Sequence, residues 1–551
     1  MPLKPIFADE LVKQYMRQGY WGRGTFLDHF ERNVDKFQER EYVVDVKERV
    51  SFSKMSKIVD NIARRLLDFD FKKEDRIALM LPNWVEFYYM HYAIEKIGCV
   101  NVPLFINLGE RDVEYILNTT ETVGIVIPDF FNKLDYTKMM LGIKKKIKSL
   151  KYIFVIGNNI PESMFSFSQL TGEKPKMDYN ENEFNQLRTV DTDVYSIRIT
   201  SGTTARPKLY MYTENGYVNA SHILIERLRL TENDVILGVP PITQGMGLWI
   251  GFALPTIIGC RVILQEKFDP GDSLKLIEKE RVTVVGVVPT QSIRMVNHPE
   301  LSKTDLSSLR VIQHGGALLP YSVAKEVEEK FGCPMLNCFG ASDGPDVCCT
   351  SLADPPEVRY STVGKPFLGH EVKIIGNDGH ELGIEQIGEI WSRGPSISGG
   401  YYKESPETMK ESFLEDGWFR HGDLGMIKRD GNIVIMGRIK DLIIRGGQNI
   451  APKEVEELLS THPKVKEVAI VGMPDKILGE KCCAFVVPLN LEDPLTFDEM
   501  IDYLRINKLA KFKFPERLEI IDELPIIGAG KIDKKLLVEK ITEKLNREVM
   551  E

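Results

Sequence analysis

Residues 77 to 104 constrain the fold more than any other stretch of the chain. Ile77–Leu81 reads as a strand, Asn83 as a helix cap, Trp84–Ile97 as a helix stopped by Gly98, and Val100–Leu104 as a second strand. Strands joined through a helix pair in parallel, because antiparallel neighbours need only a short turn. A parallel sheet in turn has to be covered on both faces. The unit therefore predicts an α/β protein, and Val282–Val288 and Leu309–Gln313 repeat its strand texture. Helices flank it: Leu27, Phe30, Val34 and Phe37 follow a cap at Thr25, and Met55, Ile58, Ile62 and Leu66 share one face.

At 551 residues the chain exceeds one compact core, so at least two domains are expected. After about residue 360 glycine and proline become denser, and short alternating runs such as Val372–Ile375 and Gly388–Trp391 read as an antiparallel sheet or small barrel. From about 437 the texture changes again. Pro452 opens a helix carrying Val455, Leu458 and Leu459, followed by a strand at Val468–Val471, a helix near Phe497–Leu504 and a strand near Leu518–Ile521. The expected division is a large unit over 1–436, including the barrel-like part at about 360–436, and an α+β unit over 437–551.

Several function classes are disfavoured. With 71 basic and 80 acidic residues the net charge is −9, which argues against a nucleic-acid surface. The densest basic run, Lys144–Lys151, interleaves lysines with Ile143, Ile147 and Leu150 and reads as a helix with a solvated face. Eight cysteines without a CxxC pair support neither a disulfide scaffold nor a structural zinc site. The N-terminus lacks the apolar core of a secretory signal, and a cytoplasmic location is expected. Between Asp234 and Arg261 no residue carries a formal charge, but Pro240, Pro241, Pro255, Thr243 and Gln244 interrupt the run. It reads as a buried strand–loop–helix lining a pocket rather than a membrane span.

Four segments carry the chemistry. Thr200, Ser201, Gly202, Thr203, Thr204, Ala205, Arg206, Pro207 and Lys208 follow the alternating Tyr195, Ile197 and Ile199. Hydroxyls, glycine and lysine in that density suit a phosphate cradle, without the Walker spacing, although a Ser/Thr-rich turn has the same texture. Gly417–Asp423 and Gly437–Asp441 offer Asp423 for vicinal hydroxyls and Arg438 for charge, or simply two turns. Lys531, in a glycine-rich loop, is a solvated cation or one that swings onto a developing negative charge. Asn337–Asp343, after His314–Ala317, offers Ser342 to a phosphate and Asp343 to a cation, while Gly315 and Gly316 permit close approach of a flat base.

In this order the segments resemble the motifs of the adenylate-forming superfamily of acyl- and aryl-CoA synthetases, adenylation domains and luciferase. The resemblance runs from about Tyr20 to Leu537. It implies activation of a carboxylate by ATP and Mg²⁺ to an acyl-adenylate, then transfer to the thiol of CoA or of a separate carrier protein. It also implies a mobile C-terminal domain. By resemblance, the Thr200–Lys208 loop handles the outer phosphates. Gly315, Gly316, Ala317, Phe339 and Gly340 hold adenine, Ser342 contacts the α-phosphate, Asp343 the Mg²⁺ and Asp423 the ribose, with Arg438 close by. Lys531 is the adenylating lysine, with Lys208 and Arg438 as further catalytic charges. Lys440 is the hinge, and Gly446 and Gly447 line the thiol tunnel. Gln244, Gly245, Met246, Trp249 and Ile250 form the acid pocket.

Departures are Ala205 for glycine, Leu209 where glycine commonly follows the lysine, Asp343 for glutamate and Gln244 for histidine or an aromatic residue. The start Tyr15–Trp21 and the pair Lys208–Leu209 look like the stand-alone dihydroxybenzoate-activating branch. Gly245 and Ile250, however, lack the polar partners a catechol needs, so an apolar aryl or medium-chain acid is expected. The competing expectations are an aryl-acid AMP ligase that loads a carrier and, more remotely, a non-catalytic nucleotide binder.

Overall fold

The computed structural model describes residues 3–7, 9–176, 181–200, 207–317, 319–344, 346–446, 448–527 and 531–550. The strand–helix–strand unit is present. Arg76–Leu79 and Val100–Pro103 pair in parallel, Arg76 opposite Val100, across helix Val85–Lys96. They sit in a seven-stranded sheet ordered Leu209–Thr213, Val194–Ile199, Val100–Pro103, Arg76–Leu79, Gly124–Pro128, Tyr152–Ile156 and Phe165–Ser166. Only the edge pair Leu209–Thr213 with Val194–Ile199 is antiparallel.

A second, nine-stranded sheet has Val311–His314, Val284–Val287, Val235–Gly238, Arg261–Leu264 and Glu41–Val44 as its parallel run. Met335–Gly340 extends that run in parallel, and Asp346–Cys349 then turns back antiparallel. Helix Val85–Lys96 is buried from Val85 through Glu95. It is packed against protein on every side, so it lacks the one-sided pattern of a surface helix.

Asn83 does not cap this helix. Trp84 holds the cap position without a side-chain bond, while the buried Asn83 amide donates to the carbonyls of Pro240 and Gln265 and accepts from Ile242 N–H. It ties the two sheets together. Thr25 does cap its helix, Phe26–Phe37, in a reciprocal box with Asp28. The lysine run departs from expectation: the helix ends at Ile143 and Lys144–Lys146 form a 3₁₀ turn. Ile147 and Leu150 are nonetheless buried, while Lys145, Lys146 and Lys148 face solvent.

The glycine-rich part after 360 folds as an open four-stranded antiparallel sheet, Glu371–Ile375, Gly388–Arg393, Phe419–Ile427 and Ile433–Arg438. The 3₁₀ turn Ile439–Asp441 leads from it into a five-stranded sheet built on the long hairpin Val465–Asp475 and Gly479–Pro488. Helices Pro452–Leu459, Phe497–Ile506 and Lys534–Met550 accompany this sheet. Among the described residues no helix is long and apolar enough to cross a membrane. The uncharged stretch after Asp234 forms strand Val235–Gly238, a loop and helical turns from Gly245 to Ile258.

Two buried carboxyls close the junction between helix Phe26–Phe37 and its neighbours. Glu214 accepts from Phe26 N–H and Glu95 from Leu27 N–H (2.8 Å), satisfying donors that the first helical turn leaves free. Burial lifts Glu95 to about 8, and lifts Glu214 well above the carboxylate range with Glu95 pushing it further. Raised folded-state values mean the folded protein holds extra protons. This stability contribution is complete below the unfolded carboxylate value and is lost as pH rises through about 8. Glu214→Gln should therefore retain the neutral-pH melting temperature and make its decline between pH 5 and 9 shallower. Glu214→Leu should cost about 1–3 kcal/mol by orphaning Phe26 N–H. Thermal unfolding across that pH range checks both.

Candidate active site

The strands that end at the cleft supply most of the site. Ile199 pairs with Leu209 at the mouth of the hairpin, Thr200 N–H donates to Lys208 O (3.0 Å), and Lys208 N–H donates to Thr200 Oγ1 (3.2 Å). Thr200 and Lys208 thus pin the base of the hydroxyl-rich loop. Its middle, with Ser201, Gly202, Thr203, Thr204 and Ala205, lies outside the described residues. The Lys208 ammonium pairs with Glu411 (3.1 Å) and lies 4.7 Å from the Tyr401 ring centroid. Leu209 is buried in the strand, so this departure serves packing.

Strand Val311–His314 delivers Gly315, Gly316 and Ala317. A Cβ at Gly315 would lie 2.8 Å from Cys338 Sγ, and Gly316 has a φ of +83°, so a larger residue would be crowded at the first and strained at the second. Gly316, Phe339, Gly340 and Ser342 line a common cavity, and Phe339 packs on His421 with ring centroids 5.1 Å apart. Asp343 stands beside them, its Oδ2 accepting from Tyr401 Oη (2.8 Å) and its carbonyl from Ser398 Oγ (2.6 Å). Among the described residues no cluster of three or more His, Cys, Asp or Glu forms a metal cage. A single carboxylate suits Mg²⁺ better than a cation that needs a full protein cage, because Mg²⁺ keeps several waters.

Strand pairing sets the next group. Asp423 on Phe419–Ile427 lies opposite Arg438 on Ile433–Arg438, and Arg438 Nε reaches Asp423 Oδ1 at 3.3 Å. Burial raises the Asp423 carboxyl to about 6 against the opposing pull of Arg438 and Lys531. Lys531, from the C-terminal hairpin of Ile526–Ile527 with Lys531–Ile532, lies partly buried in the field of Asp423 and Arg438. Burial and the positive charges of Arg438 and Lys440 lower its ammonium to about 8, against the opposite pull of Asp423 and Asp343. Residues separated by almost two hundred positions, Asp343 to Lys531, thus share one field. Lys440 lies in the connecting turn Ile439–Asp441, its own ammonium lowered by burial and by Arg438. Gly446 packs on Leu478, its N–H donating to Leu478 O (2.8 Å), and does not line the cavity; Gly447 lies outside the described residues.

Of the residues expected to form the acid pocket, four line the cavity and one does not. Gly245, Met246, Trp249 and Ile250 line the cavity, from a helix that opens at Gly245 and widens into a π turn over Trp249–Ala253; Gln244 precedes it and does not line the cavity. The wall is not uniformly apolar. Arg198, Tyr210, Tyr212, Tyr217, Gln313 and Asp346 also line it, and none was singled out from the sequence. The signal available was Arg198 alternating with Ile197 and Ile199. Such a residue reads as solvated on an edge strand, whereas Val194–Ile199 is buried on both faces.

Comparison with known proteins agrees with this geometry. The AMP-binding enzyme model matches residues 30–402 and the AMP-binding enzyme C-terminal domain model residues 454–531. The 2,3-dihydroxybenzoate-AMP ligase of Bacillus subtilis (strain 168) is 32% identical over 542 residues, covering 98% of each chain. The medium-chain fatty-acid–CoA ligase of Escherichia coli (strain K12) is 31% identical, covering 100% of this chain and 96% of the relative. Among solved structures, ATP-bound MatB from Rhodopseudomonas palustris aligns with a TM-score of 0.82 and 27% identity over 94% of this chain and 99% of that one. An anthranilate CoA ligase in complex with anthranoyl-AMP shares the fold, with a TM-score of 0.86 and 21% identity over 95% of this chain and 98% of that one. The chain belongs to the AMP-binding enzyme family and is an adenylate-forming acid–thiol ligase.

Proposed function

We propose that this ligase converts a carboxylic acid with an apolar or aryl body into its CoA thioester through an acyl-adenylate. The observation that carries this reading is the partial burial of Lys531 with Asp423, Arg438 and Asp343 at one cleft. A carboxylate oxygen attacks the α-phosphorus of ATP, and pyrophosphate leaves with its bonding pair. The CoA thiolate then attacks the acyl carbonyl and AMP leaves. Attack at phosphorus asks the protein for positioning and charge neutralisation more than for covalent chemistry.

In this reading Lys531 lies against the reacting carboxylate and α-phosphate, Asp423 accepts from the ribose hydroxyls, and Ser342 donates to the α-phosphate. Lys208 and the Thr200–Thr204 loop, with Ser201, Gly202 and Thr203, take the outer phosphates. Gly316, Ala317, Phe339 and Gly340 enclose the adenine. Asp343 would hold Mg²⁺, which supplies charge neutralisation on the phosphates. The acid lies against Met246, Trp249 and Ile250, where Trp249 already packs on Tyr217 with centroids 4.5 Å apart. Residues 437–551 turn as a body about Lys440 between the two steps, withdrawing Lys531 and bringing Gly446 and Gly447 to a thiol path. The similarity to 2,3-dihydroxybenzoate-AMP ligase supports a second reading, in which a separate carrier protein supplies the thiol.

Acid-dependent ATP–pyrophosphate exchange tests the first step, and absence of exchange across a broad acid panel would overturn it. Release of AMP and acyl-CoA with free CoA separates the two thiols. Lys531→Ala should lower exchange by about 10²–10³-fold, the scale of losing one preorganised charge, while sparing thioester formation from supplied acyl-adenylate. Equal loss in both half-reactions would contradict the rotation. An ammonium lowered to about 8 is charged below that pH, so kcat/KM for adenylation should fall as pH rises through about 8. Lys531→Arg, charged throughout, should move that limb beyond about pH 9. A limb that stays in place would assign it to another group.

A further inference from the structure

Arg198 lies on strand Val194–Ile199, two residues before Thr200, with 5% of its surface exposed. Its Nε donates to Ser196 Oγ (3.4 Å) and one Nη to Tyr195 Oη. The guanidinium lies 4.6 Å from the ring centroid of Tyr212 and 4.5 Å from that of Tyr217. The Tyr217 hydroxyl also interacts with it, but among the described residues no carboxylate stands within salt-bridge distance. The residue lines the same cavity as Met246, Trp249 and Ser342. A guanidinium does not deprotonate in a protein, and burying one without a counter-charge is expensive. Stacking on two tyrosine faces offsets only part of that cost.

Asp346, on the facing wall, does not resolve the charge. It makes no side-chain hydrogen bond among the described residues, and burial lifts its carboxyl to about 7 even with Arg198 near. Burial thus works against its ionised form, so Asp346 offsets the guanidinium only in part. Lys531 belongs to the separate group of Arg438, Asp423, Lys440 and Asp343. The site therefore holds two cationic positions for an acid, one where the carboxylate meets ATP and one among the buried tyrosines. A hydroxyl would satisfy a donor at the second position without neutralising it; an anion does both.

We propose that the acid this ligase activates carries a second carboxylate, held by Arg198. This rests on the acid-activating reading and narrows its substrate class to dicarboxylic acids whose body fits between Trp249 and Tyr217.

The test pairs each monocarboxylic acid with dicarboxylates of the same body: benzoate with its meta and para dicarboxylates, hexanoate with hexanedioate. Exchange gives kcat/KM, and calorimetry in the presence of a non-hydrolysable ATP analogue gives binding independently of turnover. The favoured dicarboxylate should exceed its monocarboxylic partner by about 100-fold, the scale set by a buried hydrogen-bonded charge pair. Arg198→Met should remove that preference in both KM and binding while ATP affinity stays unchanged, and Arg198→Lys should recover part of it. A wild-type preference for monocarboxylic or hydroxylated acids would overturn the proposal, as would equal loss of every acid in Arg198→Met. If that variant does not fold, the wild-type binding comparison decides alone. Dicarboxylate binding without exchange would refute the ligase reading and keep Arg198 as an anion site. Exchange confined to monocarboxylic acids would do the reverse.

Discussion

Complete burial of helix Val85–Lys96 holds the rest of the molecule in place. The helix bonds to a strand of each sheet: Tyr92 Oη meets Tyr42 Oη of Glu41–Val44 at 2.8 Å, and His91 faces Asn101 of Val100–Pro103 across 3.0 Å, while Tyr88 Oη donates to Gly251 O of the helical turns between. Asn83, just before it, gathers the carbonyls that follow strands Val235–Gly238 and Arg261–Leu264. Polar groups buried this deeply cost free energy unless paired, so each pairing also fixes a register between layers. The strand ends of the two sheets are thereby held at one cleft, where Thr200, Gly316 and Ser342 emerge.

What that cleft does to charge follows from desolvation. Asp423 and Asp346 are both raised by burial, and Lys531 is lowered by it. The lowered lysine is poised for ligands that supply negative counter-charge, as ATP and a carboxylate do, whereas the raised aspartates call for hydrogen-bond donors. The partial burial of Lys531 also costs electrostatic energy, because Arg438 and Lys440 oppose its charge. That cost favours a C-terminal hairpin able to leave once the anions have reacted, which is the physical basis of the two-step reading.

Much of the candidate site was legible because the residues proposed for it sit in short continuous segments. Glycines at 315 and 316, the hydroxyl-rich loop and Asp423 each announce a local backbone requirement or donor set that needs no knowledge of the partner. The pocket wall was not legible in the same way. Arg198 and Asp346 stand in ordinary strand positions, and only the neighbouring layer makes them remarkable in charge: Tyr212 and Tyr217 roof the guanidinium, and the cavity opens beside both. An expectation of an apolar pocket followed from reading Gly245–Ile250 alone, since those residues form one wall of several.

The sequence by itself determined the parallel α/β class, the family and the order of the hydroxyl-rich, Asp423 and Lys531 segments, because periodicity and motif spacing are local properties of the chain. Tertiary structure alone decided that Asn83 joins sheets instead of capping a helix, that the α-helix before the lysine run ends at Ile143, and that Arg198 is buried with no carboxylate at salt-bridge distance among the described residues. Each of those outcomes depends on what a side chain meets across a layer. Alternation along a strand tells which face a residue points to, and says nothing about whether that face meets water, a tyrosine or a cavity awaiting an anion.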